Sequence, residues 1–141
     1  MLYDVSLRIQ GSSANTDNAM IFYTQGTLET NRGQYRLCYD QFEGEETVQT
    51  TISLNRDTVS LMRNDHTTVM FMRNRPSIQH CVAPNGAAMN LTVVPYAAQL
   101  KQNRGRGWMR LTYDLVYDGH FTSNHDLFFE FEPIGHGKSA D

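Results

Sequence analysis

The 141 residues match the common length of one domain, a size that buries roughly two thirds of its unfolded surface on folding. With 40% hydrophobic and 19% charged residues, the chain is neither short of core material nor loaded with like charge, which excludes an intrinsically disordered protein. Twelve Lys and Arg against fifteen Asp and Glu leave a net charge of −3, the wrong sign for binding nucleic acid over the whole surface.

From the first residues onward the dominant signal is period two, as expected of strands with one face toward a core and the other toward water. Tyr3, Val5, Leu7 and Ile9 alternate with Asp4, Ser6, Arg8 and Gln10. This opening has neither the basic nor the apolar block of a signal peptide, and no run approaches a membrane span of about 20 residues, so a cytoplasmic protein without a membrane partner is expected. After the polar loop GSSANTDN, a second strand carries Met20, Phe22, Gly26 and Leu28, and TNRG closes the hairpin.

Tyr35, Leu37 and Tyr39 form a third strand, the acidic turn FEGEE follows, and Val48, Ile52 and Leu54 form a fourth. Turns at NRD and NDH bound short runs holding Val59 and Leu61, then Met70 and Met72, which the alternation places inward. Pro76 precedes Ile78 to Val82, and PNG precedes Met89, Leu91 and Val93. Residues 96–103 have helix-forming composition and are expected to form a short connector of one or two helical turns.

The last hairpin is the best marked: Met109, Leu111, Tyr113, Leu115 and Tyr117 alternate with polar residues, and Asp118-Gly119 is a type I′ signal. Leu127, Phe129 and Phe131 answer on the returning strand, where polar residues near Asn124 are expected to introduce a bulge. Pro133 ends it, leaving residues 134–141 as a flexible tail after a domain spanning 1–133. About eight to ten strands in up-and-down order favour a closed antiparallel β-barrel over a sandwich, because closure removes the reactive sheet edges.

The order of features resembles the YwiB-like family of small bacterial proteins with a calycin-like, or lipocalin-like, β-barrel. The resemblance covers nearly the whole chain. It rests on Gln25-Gly26 in the second strand, Tyr39-Asp40 before a Gly44 turn, Leu61-Met62-Arg63 before a hairpin, Pro84-x-Gly86, and LTYDLVYDG followed by Ser123-Asn124. The chain departs from the pattern at Asp40-Gln41 and Asn64-Asp65, both in turns. The family implies a fold and brings no catalytic residues with it.

With the apolar side of each strand turned inward, Tyr39, Thr50, Arg63, Thr68, His80 and Tyr113 form a polar minority in an apolar lumen. That composition suits a small, partly apolar molecule, with Arg63, His80, Tyr39 and Tyr113 as its polar contacts. Arg63, beside the NDH turn and so near a rim, suits a carboxylate or phosphate, or an ion pair with an acidic neighbour. A barrel of this size can equally be filled by its own side chains. Met62, Met70, Met72, Met89 and Met109 read as gap-filling core before they read as an adaptable cavity.

The alternative is an interaction surface, in which Lys101, Arg104, Arg106 and Arg110 surround Trp108 and offer charge plus stacking to RNA or to a protein partner. Self-association of this basic loop with the acidic FEGEE turn, as in a homodimer, is a further option. Cys38 and Cys81 lack metal-clip spacing, and adjacent His80 and Cys81 point to opposite faces. His120, His125 and Asp126 flank the last hairpin and read as turn polar groups rather than metal ligands. No cofactor is implied. Hydrolase and phosphate-loop motifs are missing, so an enzyme of unknown reaction is the third reading.

Overall fold

The computed structural model describes residues 1–13, 20–64, 66–82 and 85–134, without the side chains of 12, 13, 43, 66–68, 81, 121 and 122. Ten strands follow one another: β1 (Leu2–Ser13), β2 (Met20–Asn31), β3 (Gln34–Glu43), β4 (Glu46–Leu54), β5 (Thr58–Arg63), β6 (His66–Met72), β7 (Ser77–Val82), β8 (Ala88–Asn103), β9 (Arg106–Tyr117) and β10 (His120–Pro133). They form one antiparallel sheet in the order β6-β5-β4-β3-β2-β1-β10-β9-β8-β7. The first and last strands pair in mid-sheet, from Val5 opposite Pro133 to Ser13 opposite His125. The sheet curls into a nearly closed, calycin-like barrel whose single seam lies between β6 and β7.

At that seam side chains replace a backbone ladder. Met70 N donates to Gln79 Oε1 at 3.1 Å, and the Arg73 guanidinium donates to Ala98 O at 2.5 Å and Asn55 O at 3.0 Å. Elsewhere the turns hold the register. Arg32-Gly33, Arg104-Gly105 and Asp118-Gly119 have positive φ at both central positions, the geometry of type I′ hairpins whose twist matches that of the flanking strands.

The helical connector expected over 96–103 is instead the second half of β8, which pairs with β9 through Asn103 opposite Arg106. Pro95 is tolerated because the register shifts there, between Pro95 and Ala97, and because β7 has already ended opposite Val93. Tertiary pairing overrides the helix propensity of a segment too short to be helical alone. Tyr96 is the bulged residue and turns outward.

A second difference concerns phase. In β6 it is Val69 and Phe71 that are buried, while Met70 is exposed; in β7, Ile78 and Val82 are 67% and 72% exposed. The register of β5 with β6 shifts between Leu61 and Met62, opposite Thr68, and such an extra residue exchanges the faces of everything beyond it. Both are the sheet's edge strands, where an apolar side chain is a poor guide to the inward face. The side chain of Thr68 lies outside the described residues, as does the tail except for Ile134, whose N–H donates to Asp4 O at 2.9 Å.

The core fills one end of the barrel. Val5, Leu28, Leu37, Leu54, Val59, Phe71, Met109, Leu111 and Phe131 are all but inaccessible there. Tyr3 closes that end against the β8–β9 turn, so tightly that a Cβ on Gly105 would stand 2.7 Å from its ring. No helix among the described residues is long and apolar enough to cross a membrane.

Candidate functional site in the open end of the barrel

At the opposite end the interior is not filled. A cavity of about 410 Å³ opens among Ile9, Gly11, Met20, Phe22, Tyr39, Gln41, Thr50, Leu61, Arg63, Tyr113, His125, Leu127 and Phe129. Its walls are mostly apolar, with a polar minority drawn from five strands, the composition typical of small-molecule pockets. The interior is thus packed at one end of the barrel and open at the other.

Cross-strand register assembles the polar groups. Tyr39 on β3 stands opposite Thr50 on β4, and Thr50 stands opposite Arg63 on β5, so three neighbouring strands present a hydroxyl, a hydroxyl and a guanidinium to one space. Asn64 fixes the end of β5. Its left-handed backbone (φ 52°) lets its N–H donate to Gln49 O at 2.8 Å, while its Oδ1 accepts from Gln49 N at 3.0 Å. Across the cavity, Tyr113 on β9 faces Phe71 with ring centroids 5.3 Å apart, and Tyr39 packs on Phe129 at 6.1 Å and Phe22 at 6.4 Å.

Burial dominates the electrostatics of the two tyrosines. Burial pushes the Tyr39 phenol up to about 12, against the opposing pull of Thr50 and Arg63, with a small further push from Tyr113. Burial alone pushes Tyr113 up to about 12. Thr50, 3% exposed, lies beside the Tyr39 hydroxyl and lowers its pKa, yet the geometry falls short of a hydrogen bond, and Oγ1 has no partner. A buried hydroxyl without a partner costs free energy unless something supplies one.

His125 joins this set, stacked on Tyr113 at 5.0 Å and 15°. Its Nε2 lies 2.6 Å from Ser123 Oγ. Burial lowers its pKa, and the nearby Asp114 carboxylate partly offsets this. Asp114, itself buried, accepts from Tyr96 Oη at 2.6 Å and, closely, from Asn124 Nδ2.

A family model described as a domain of unknown function, DUF1934, matches residues 5–128. The chain belongs to this family. The crystal structure of the ywiB protein from Bacillus subtilis aligns with 95% of this chain and 94% of that one, with a TM-score of 0.72 and 16% sequence identity. At that identity the likeness shows a shared fold, the YwiB-like barrel that the order of hairpin features resembles. No curated protein matches the chain.

Of the four lumen contacts expected in this DUF1934 barrel, Tyr39, Tyr113 and Arg63 converge on the cavity and His80 does not. His80 is exposed on the outer face of β7, its Nδ1 2.7 Å from Asn90 Oδ1, because β7 presents the opposite phase to the one its apolar residues suggest. His125 supplies the imidazole instead. Period two from Leu127 and Phe129 already places it inward, a signal obscured by reading it as a turn residue beside Asp126. That neighbour points outward to Arg110, and among the described residues no cluster of three or more His, Cys, Asp or Glu fits a metal ion.

Outside the barrel a larger depression, about 710 Å³, runs over β2, β1, β10 and β9 past Tyr23, Arg8, Glu130, Arg106, Trp108 and Glu132. It is broader than the lumen, and its charges are matched in ion pairs. Arg8 pairs with Glu130 at 2.8 Å, Arg106 with Glu132 at 2.9 Å and Arg110 with Asp126 at 2.9 Å. Trp108 packs on Phe128 at 6.0 Å. Lys101 lies opposite Trp108 across the strands, and Arg104 sits in the left-handed turn position before Gly105; both are exposed.

Proposed function

We propose that this protein is a binding barrel whose open end holds a small, partly apolar molecule, with Tyr39, Arg63, Tyr113 and His125 fixing its orientation. The observation that carries the reading is the cavity itself, an unfilled end in a barrel whose other end is filled by buried side chains. Unfilled apolar volume costs stability, at roughly 24 cal/mol per Å³ where a cavity is created by truncation, so a sequence selected for stability alone would fill it. A cytoplasmic location fits the ion pairs along the outer face and the free thiol of Cys38.

The test is occupancy by an uncharged fluorescent probe such as N-phenyl-1-naphthylamine. Emission is expected to rise on mixing with the protein and to be lost in Leu61→Trp, which places an indole in the cavity, while the circular dichroism of the barrel is unchanged. A probe that binds equally to Leu61→Trp would sink the reading.

A second reading places a protein partner or a second copy on the outer face around Trp108. It is favoured by Tyr23, 74% exposed, beside the Trp108–Phe128 pair. RNA is disfavoured there, because Arg106 and Arg110 are neutralised by carboxylates. Sedimentation equilibrium separates these: a dimer lost in Trp108→Ala supports self-association, and a monomer with steeply salt-dependent RNA binding supports RNA. An enzymatic reading has only the Ser123–His125 pair behind it, and Ser123 does not line the cavity.

A further inference from the structure

We infer that the molecule held in the open end is uncharged and carries a carbonyl group on an apolar body, its oxygen seated between the hydroxyls of Thr50 and Tyr39. This rests on the lumen reading above and narrows it to a chemical class.

The seat is set by register. Thr50 on β4 stands directly opposite Tyr39 on β3, and both line the cavity. Thr50 is buried, and its Oγ1 has no hydrogen-bond partner, neither Tyr39 nor any other group. A buried hydroxyl in that state is rare and costs free energy, because its proton goes unanswered. Burial holds the Tyr39 phenol protonated up to about 12, so at neutral pH a second donor stands beside the first. A carbonyl oxygen has two lone pairs and brings no proton of its own, so it answers both hydroxyls at once. An alcohol oxygen also bridges them, but it adds a proton that needs an acceptor among mostly apolar walls.

The lining offers no seat for a charge of either sign. Arg63 already has an interaction partner within the protein, so an anion finds no unanswered cation there. His125, whose pKa burial lowers, is uncharged at neutral pH. Among the described residues lining the cavity there is no Asp or Glu to answer a cation. An ion leaving water for such walls loses more hydration than they replace, whereas a carbonyl regains its hydrogen bonds from the two hydroxyls. Phe22, Leu61, Leu127 and Phe129 share the space and accept an aliphatic or aryl body.

Isothermal titration with five compounds built on one phenylalkyl body tests this: benzylacetone, the corresponding secondary alcohol, hydrocinnamate, phenylpropylamine and butylbenzene. Benzylacetone is expected to bind at least about tenfold more tightly than hydrocinnamate or phenylpropylamine, whose lost hydration the walls do not replace. It should bind about threefold more tightly than the alcohol, and Thr50→Val should weaken it about fivefold while leaving butylbenzene unchanged. Infrared difference spectra read the seat directly. With benzylacetone isotope-labelled at the carbonyl, the bound stretch should lie below its position in hexane and return toward it in Thr50→Val and in Tyr39→Phe.

The alcohol, the carboxylate or the amine binding as tightly as the ketone would overturn the carbonyl class and leave the lumen reading standing. So would failure of benzylacetone to bind while the uncharged fluorescent probe is held; exclusion of both would overturn the lumen reading as well. A bound carbonyl stretch at its hexane position, or one that neither substitution shifts, would place the oxygen elsewhere and overturn the assignment.

Discussion

Ser123 Oγ stands 2.6 Å from Nε2 of His125, and the same imidazole lies flat against Tyr113. The register shift between Phe121 and Ser123 sets this up, since beyond it Ser123, His125 and Leu127 share the inward face. Ser123 and Tyr113 thus hold the ring from its edge and its face.

Because burial depresses the His125 pKa, the unfolded chain takes up this proton more readily than the folded one. The unfolded imidazole begins to bind protons near pH 6.5. His125 therefore contributes stability that is present above that pH and lost as pH falls through its lower folded value. Urea midpoints at successive pH values should decline from neutrality toward acid, and the decline should be shallower in His125→Phe. Equal slopes in the two proteins would show that the histidine is not desolvated. Ser123→Ala should lower stability by about 1 kcal/mol, the net worth of one hydrogen bond.

The two lumen tyrosines give the opposite sign at high pH. Burial holds Tyr39 and Tyr113 protonated to about 12, whereas in the unfolded chain they ionise near 10. Stability is therefore intact below pH 10 and lost as pH rises beyond it, because the unfolded state then sheds protons that the folded state keeps. In an ultraviolet titration of the seven tyrosines, these two should appear in the last phase. Tyr39→Phe and Tyr113→Phe should each remove one group from that phase; removal from the early phase instead would mean that the lumen is wet.

How far the sequence reaches is plain from particular strands. Val5, Leu7 and Ile9, or Met109, Leu111 and Tyr113, sit in mid-sheet with a neighbour on each side, so alternation and burial coincide, and Asp118-Gly119 forms the turn its dipeptide demands. Tyr39, Thr50, Arg63 and Tyr113 follow from that phase. His80 and Met70 do not, because the edges carry a bulge and apolar side chains outside. Residues 96–103 were legible as composition but not as pairing, since the partner that makes them a strand, β9, is supplied by the fold. That the lumen is packed at one end and open at the other depends on which layers of side chains meet across the barrel, and strand-by-strand periodicity carries no such information.

Two glycines separate close approach from backbone conformation. Gly26 has an ordinary strand backbone, yet a Cβ there would lie 2.1 Å from Cys38 O on β3. Gly33 has open space around it but a φ of +82°. Gly26→Ala should cost about 3 kcal/mol or prevent folding, because the obstacle is a neighbouring backbone that cannot give way. Gly33→Ala should cost about 1–2 kcal/mol, the penalty of a left-handed alanine. Urea denaturation orders the two, and a milder effect at Gly26 would mean that β2 and β3 are not so closely paired there.

The seam supplies the last test. Backbone pairing closes every other junction of the barrel, but between β6 and β7 the Gln79 side chain accepts the Met70 N–H. Gln79→Ala removes that acceptor, at a cost of about 1 kcal/mol. The loss should be local: amide exchange at Met70 should speed up markedly, while amides of β1 and β10, paired from Val5 to Ser13, keep their protection. Uniform acceleration across the sheet would mean that the seam is a cooperative part of the barrel. Unchanged exchange at Met70 would mean that Gln79 does not hold the edge at all.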